Sequence, residues 1–207
     1  TPEKQDRYLK TIYSSALDME KLINDLFIFS TLDLGTIELQ TEKMNIVDFF
    51  DDFYCEVKNM YQNDESIEFE YFCNCNKNAK VLIDSPRFSR VVENLVSNSI
   101  KYRKKLEKCK IEISLTEYEK SVIIEFKDNG IGIDEKNISH IFETFYRVDT
   151  ARSKVREGSG IGLSICKQIV ELHQGTIWAK SKLNEGLIIY ISLPKIQEEE
   201  NEENTDN

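Results

Sequence analysis

Two stretches that alternate in hydrophobicity with period two, KIEISLTEY at 110–118 and SVIIEF at 121–126, lie only a short turn apart. Alternation with period two is the pattern of a strand, and two such runs joined this closely read as an antiparallel hairpin. Strand-like runs also occur upstream, as SIEFEYFC and KVLID, and near the C-terminus, as GTIWAKSK and GLIIYISLP. Helical patterns separate them: NIVDFFDDFYCEVKNMY from Asn45, a segment from Pro86 to about Arg103, a short one near Ile138–Thr144, and one from about Ile161 to His173. Strands and helices mix without a regular β-α-β alternation, which points to an α+β fold rather than a doubly wound parallel sheet. No internal repeat is present.

A long helix precedes this pattern. After Thr1-Pro2, apolar residues recur at Tyr8, Ile12, Ala16, Met19, Ile23 and Leu26, gaps of three and four that place one stripe along a helix ending near Ser30. Leu9, Leu22, Phe27 and Phe29 widen the stripe beyond what an isolated surface helix needs, so the helix is expected to pair with another in a bundle or dimer. The competing expectation is a helix folded back onto the domain that follows. The segment TLDLGTIEL breaks the helix at Gly35 and reads as a hinge.

Length and charge bound the rest. The 207 residues suffice for one well-packed domain and an appendage, and the opening Thr1 suggests a fragment of a longer protein. With 40% hydrophobic and 31% charged residues and no apolar run near the ~20 needed to cross a bilayer, the chain reads as soluble. Six acidic and no basic residues in QEEENEENTDN, from Gln197 on, carry most of the net charge of −10 and predict a solvated, disordered tail. The body is only mildly acidic, which argues against a nucleic-acid partner. Five cysteines (Cys55, Cys73, Cys75, Cys109 and Cys166) form no C-x-x-C pair, against a disulfide framework or a structural zinc site. Cys73 and Cys75 would share a strand face, but His140 and His173 are the only histidines, so reduced cytosolic thiols are expected.

Three segments carry chemistry. On the helix RVVENLVSNSIKYR, Phe88, Val92, Leu95 and Val96 make a core face, while Asn94, Asn98 and Lys101 fall within roughly 60° of one another at about 100° per residue. Amide oxygens in such a line suit Mg²⁺, which takes few protein ligands beside phosphate oxygens; an ordinary solvated face has the same look. The second is DNGIGI, Asp128 to Ile133, directly after a strand. A carboxylate there accepts from an exocyclic amine such as that of adenine, although Asp-Asn-Gly also makes plain turns. The third is EGSGIGLSICKQIVELH, whose Gly158, Gly160 and Gly162 precede or open a helix, a natural phosphate site. A dinucleotide fingerprint fits badly, since Leu163 stands at the last glycine position and no strand leads in. No Gly-Lys-Ser/Thr follows, which excludes a Walker A loop.

In order and spacing these segments resemble the ATP-binding domain of sensor histidine kinases, within the superfamily that includes DNA gyrase and mismatch-repair ATPases. ENLVSNSIKY looks like the N box of that family, DNGIGI its G1 box, FETFYR its F box and GSGIGLSI its G2 box. The resemblance covers about residues 45 to 195. It implies a two-layer α/β sandwich of the Bergerat type, preceded by a long N-terminal helix, with ATP between helices and a mixed sheet under a lid. QDRYLKTIYSSALDMEKLINDLFIFSTLDLGTIEL looks like the second helix of the dimerisation and phosphoacceptor hairpin. Residues 1–35 would then be that helix and its hinge, 36–196 the catalytic domain and 197–207 the tail.

Carried over by position, the resemblance places Asn98 on Mg²⁺, with Asn94 assisting the metal or the phosphates. Glu93 would orient or deprotonate the attacking group, Lys101 would contact phosphate, and Tyr102 would pack near the base or ribose. Asp128 would accept from the adenine amine, with Gly130, Gly132 and Ile133 shaping the pocket. Gly158, Gly160 and Gly162 would form the phosphate-facing hinge of the lid, flanked by Ile161 and Leu163. Phe142 and Phe145 would anchor that lid, Arg147, Arg152, Lys154 and Arg156 would make it basic, and one of the four would neutralise charge on the γ-phosphate. Two positions depart from the pattern: Ser99 stands in place of the usual alanine, and Leu187 stands where glycine or threonine is common, weakening the last glycine motif.

The implied reaction is transfer of the ATP γ-phosphoryl group to a histidine nitrogen, then to an aspartate of a response-regulator partner. Neither His140 nor His173 lies at an acceptor position, so the acceptor is expected on a helix upstream of Thr1. The full-length kinase would be a homodimer, cytoplasmic here, meeting a membrane only through its N-terminal region. The rival readings are an ATP-sensing module that transfers nothing and a serine kinase of the same fold.

Overall fold

The computed structural model describes residues 2–33, 38–148 and 160–197. Twelve elements follow in order: α1 (Pro2–Asp33), β1 (Glu42–Asn45), α2 (Ile46–Met60), β2 (Ile67–Asn74), β3 (Lys80–Ile83), α3 (Ser85–Lys101), β4 (Cys109–Glu117), β5 (Ser121–Asp128), α4 (Glu135–Ile138), α5 (Gly162–Leu172), β6 (Thr176–Lys182) and β7 (Gly186–Pro194). The expected α+β, two-layer arrangement is present.

The predicted hairpin forms the centre of a five-stranded sheet ordered β2-β4-β5-β7-β6. Its pairings are antiparallel except for β2 with β4, which is parallel. Alternation sends Ile111, Ile113 and Leu115 of β4, Val122, Ile124 and Phe126 of β5, and Ile189, Ile191 and Leu193 of β7 to one buried face. The helices α2, α3 and α5 cover that face with Phe50, Phe88, Val92, Leu95, Ile165 and Ile169. Ring edges meet ring faces between Phe50 and Phe88, 6.5 Å apart, and between Phe49 and Phe88, 5.6 Å apart.

Three differences from the sequence reading have simple causes. The strand β1 has only four residues without apolar alternation, and it exists through its antiparallel pairing with β3. The short helix lies at 135–138 rather than 138–144, because Asp134 caps it by accepting from Lys136 N. Downstream of it, His140 N donates to Asn137 O and Glu143 N to His140 O, a three-residue spacing that makes turns. The long helix runs to Asp33, three residues past Ser30.

Most of the α1 stripe is uncovered: Tyr8, Ile12, Met19, Ile23 and Leu26 are all exposed. Only its last turns meet the body. Asp25, 4% exposed, forms an ion pair with Arg90 of α3 at 2.5 Å, while Phe29 leans on Phe145 with centroids 6.4 Å apart. Over its last turns α1 contacts the domain, as the fold-back expectation has it, while its upper apolar face is exposed. The predicted hinge at Leu34-Gly35 and the tail from residue 198 lie outside the described residues. Among the described residues, no helix is long and apolar enough to cross a membrane, and all five cysteines are free.

Asp84 ties the helical layer together. Its side chain caps α3 by accepting from Arg87 N at 3.2 Å, and also accepts from Gln40 N at 3.0 Å; such a cap is typically worth about 1 kcal/mol. Its own N–H donates to His173 Nε2 at 2.8 Å, and His173 Nδ1–H donates to Ile169 O at 2.7 Å. Both ring nitrogens are thus engaged in the neutral tautomer, and burial holds the imidazole below its ordinary value of 6.5. An unfolded chain protonates this ring more readily, so the contribution is complete above about pH 6.5 and lost as pH falls below it. Thermal melts across that range should show His173→Gln with a flatter loss of stability on acidification, and with about 1–2 kcal/mol less stability at pH 8. An identical slope in both proteins would refute the assignment.

Candidate functional site

Each sequence-predicted segment begins or ends at the same edge of the domain. The α3 helix is amphipathic, with Val91, Val92, Leu95 and Val96 buried against the sheet. That burial turns Asn94, Asn98 and Lys101 toward the edge. Asn94 is 8% exposed, Asn98 partly buried and Glu93 exposed. The Nδ2 of Asn94 lies against Cys166 Sγ, a weak acceptor, and makes no conventional hydrogen bond. An unsatisfied amide at this depth is costly unless a ligand completes it. Lys101 holds its ammonium 5.4 Å from the Tyr102 ring centroid.

The glycine-bearing segment before α5 meets this helix directly. A Cβ added at Gly162 would stand 3.5 Å from Asn94 Oδ1. Asn45, Asp84 and Asp134 cap α2, α3 and α4 with side-chain oxygens, but Ile161 precedes α5 and supplies no such bond. Among the described residues, no side-chain cap covers the positive end of the α5 dipole. Ile161 is buried and Leu163 partly buried beside it. Gly160 O accepts from Phe145 N at 3.0 Å, tying the F-box-like segment to the loop. Phe145 itself is 63% exposed with φ of 64°, and its ring packs on Phe29 of α1. Arg147 is exposed. Gly158, Arg152, Lys154 and Arg156 lie outside the described residues.

Asp128 ends β5 as a partly buried carboxylate. Its Oδ1 accepts from Gly130 N at 2.8 Å and from Leu187 N at 3.3 Å, and its Oδ2 is 3.2 Å from Ser99 Oγ. Burial raises the carboxyl above its usual range, and these three donors pull back toward it. The following turn is clamped: Ile131 N donates to Tyr102 O at 3.1 Å and Ile133 N to Ser181 Oγ at 2.8 Å. At Gly132, φ is +64° and a Cβ would lie 2.1 Å from Lys182 O. The turn thus requires glycine both for its backbone angle and for the approach of β6.

The site also draws on residues that the sequence reading discounted. Leu187, whose presence weakened the last glycine motif, contributes a backbone N–H to Asp128 that no side-chain pattern reveals. Gly186 before it has φ of +99° and packs against Asp128 O, where a Cβ would stand 1.8 Å away. Ser99, which stands in place of the usual alanine, touches the carboxylate. On the other side, α1 walls the Glu93–Asn94 end of α3. Between the two helices is a cleft of about 370 Å³ lined by Leu17, Glu20, Asn24, Asp25, Arg90, Glu93 and Asn94.

An amide pair on α3, the start of α5 and the partly buried carboxylate that ends β5 come together from three elements. Residues 83–197 match the family described as histidine kinase-, DNA gyrase B- and HSP90-like ATPases. The chain belongs to this family. Among curated members, sensor histidine kinase WalK of Bacillus subtilis (strain 168) is 32% identical over 197 residues, 95% of this chain and 32% of that protein. The chain therefore spans about a third of that relative's length. The catalytic domain of histidine kinase ThkA superposes with a TM-score of 0.63 at 26% identity, over 76% of this chain and 99% of that domain. A second ThkA structure, in complex with response regulator protein TrrA, shares the fold at 24% identity and a TM-score of 0.64, over 86% of this chain and 49% of that one.

Gly132→Ala combines a disfavoured backbone angle with a clash against backbone. It is expected to cost more than about 2 kcal/mol of stability, measured by urea unfolding; an unchanged midpoint would refute the clamped turn.

Proposed function

We propose that this chain is the ATP-binding, phosphoryl-donating part of a protein-histidine kinase. The observation that carries the reading is the meeting of Asn94 with Gly162 at the uncapped start of α5. There the buried side chain of Asn94, its Oδ1 nearest Gly162, faces a helix N-terminus: the oxygen suits a phosphate-bound cation and the helix start suits phosphate. Asp128 lies beyond them as the acceptor for the amino group of adenine, with Gly130, Gly132 and Ile133 shaping its turn and Tyr102 beside the base or ribose. The donor set also fits Mg²⁺, for which the amide oxygen of Asn98, with Asn94 as second, is the natural ligand among phosphate oxygens. That ion would supply charge neutralisation at the β- and γ-phosphates.

The remaining roles belong to side chains of this chain. Lys101 and Arg147 offer positive charge to the phosphates, and Gly158, Gly160 and Gly162 give them close backbone approach, with Ile161 and Leu163 alongside. Glu93, exposed beside Asn94, is placed to orient or deprotonate the attacking imidazole. The acceptor nitrogen forms a bond to the γ-phosphorus while the bond to the β,γ-bridging oxygen breaks, and ADP leaves. Catalysis here is chiefly positioning and charge stabilisation. Neither histidine of this chain suits the acceptor role: His173 is buried with both nitrogens engaged, and His140 stands in the F-box-like segment, away from the acceptor motif of the family.

The acceptor therefore belongs to another helix. The uncovered stripe of α1 supports residues 1–35 as the second helix of a dimerisation hairpin, in a homodimeric full-length kinase. Residues 36–196 are then the catalytic unit and 197–207 its tail. The ThkA complex supports a response regulator as the next phosphoryl acceptor. The catalytic part would act on the cytoplasmic side, with any membrane contact through the N-terminal region of the full-length kinase.

Calorimetric titration with ATP and GTP, with and without Mg²⁺, tests the reading. ATP should be preferred and strengthened by Mg²⁺, and Asp128→Asn should weaken it at least about tenfold. The same substitution removes a charge that burial disfavours, so the ligand-free variant should be at least as stable as the parent. Transfer of radiolabel to an added histidine-bearing hairpin should give an acid-labile product. A folded chain that binds no ATP would end the proposal, and an acid-stable product would move it to a serine kinase.

A further inference from the structure

We propose that Ser99 is a positioning residue that sets nucleotide specificity: its hydroxyl holds Asp128 in the ionised, acceptor-only form that selects the amino group of adenine over the carbonyl of guanine. The inference rests on Asp128 as the base acceptor.

Ser99 lies on α3 at 7% exposure, with Oγ 3.1 Å from Leu95 O and 3.2 Å from Asp128 Oδ2. A hydroxyl has one proton, so these acceptors compete for it. A carboxylate wins against a backbone carbonyl, because hydrogen bonds to a charged acceptor are roughly twice as strong. The carboxylate offers about four lone-pair positions. Gly130 N and Leu187 N occupy the two on Oδ1, and Ser99 takes one on Oδ2. One position on Oδ2 is left for a base.

Ionisation decides what that last position recognises. A carboxylate accepts from the amine of adenine and repels the carbonyl oxygen of guanine. A protonated carboxyl donates to that carbonyl and loses the discrimination. Burial pushes Asp128 toward protonation, while Gly130 N, Leu187 N and Ser99 Oγ oppose it. Of these donors, Ser99 alone acts through a side chain.

The titratable neighbour from β4 is Cys109, which donates Sγ–H to Ser99 O at 3.7 Å. Its thiol is pushed up to about 11 by burial and by the Asp128 charge, with Arg103 and Asp64 acting more weakly in opposite directions. It stays protonated throughout the range in which Asp128 titrates. The acid dependence of base recognition therefore belongs to Asp128 and to the hydroxyl beside it.

The test is ATP and GTP binding to the whole chain between about pH 5 and 8, for the parent, Ser99→Ala, Ser99→Thr and Asp128→Asn. Ser99→Ala should move the acid loss of ATP binding upward by ~0.5–1 pH unit and lower the ATP-over-GTP preference roughly three- to tenfold. Ser99→Thr, which keeps the hydroxyl, should restore both. A purely structural role would instead change melting temperature and leave the pH profile in place. Unaltered profile and preference in Ser99→Ala, with ATP binding lost in Asp128→Asn, would overturn the role of Ser99 alone. Intact ATP binding in Asp128→Asn would overturn the base-acceptor assignment with it.

Discussion

The burial of one face of α3 against the sheet is the constraint on which the site depends. Phe88, Val91, Val92 and Leu95 are each 2% exposed or less, so the helix cannot rotate without opening the core. With that rotation fixed, Asn94, Asn98 and Lys101 have one direction left. The same packing sets Ser99 against Asp128 and Tyr102 O against the turn after β5. Site geometry here follows from hydrophobic packing, and the polar groups need few constraints of their own.

Much of this was legible in the sequence because it is periodic. The alternation in β4, β5 and β7 and the apolar face of α3 gave both the elements and their buried sides. Asp128 was legible as an acid closing a strand before two glycines. What periodicity does not carry was missed. The strand β1 owes its existence to a partner some forty residues away, and residues 139–144 turn at three-residue intervals despite an apolar pattern. Leu187 acts through its main chain, so its side chain misdirected the reading. Ser99 was visible as a departure, yet only the fold shows what its oxygen touches.

The contact between α1 and the domain carries a second lesson. The last turns of α1 meet the domain through an ion pair between Asp25 and Arg90, a ring contact between Phe29 and Phe145, and the packing of Ile28 and Phe29 on the core. Partly exposed pairs of this kind hold surfaces in register at modest cost in separation. The cleft beside Glu93 is bordered by that contact, so the placement of α1 sets its shape.

The uncapped start of α5 has a consequence for how the domain behaves as a material object. Three other helices are capped by a side chain at their own start, whereas Ile161 gives this one no such cap among the described residues. A phosphate seated there would be, in effect, a missing residue of the fold. The local ordering of that end would then rise and fall with the supply of its ligand, and the domain would register nucleotide abundance as stiffness before any bond is made or broken.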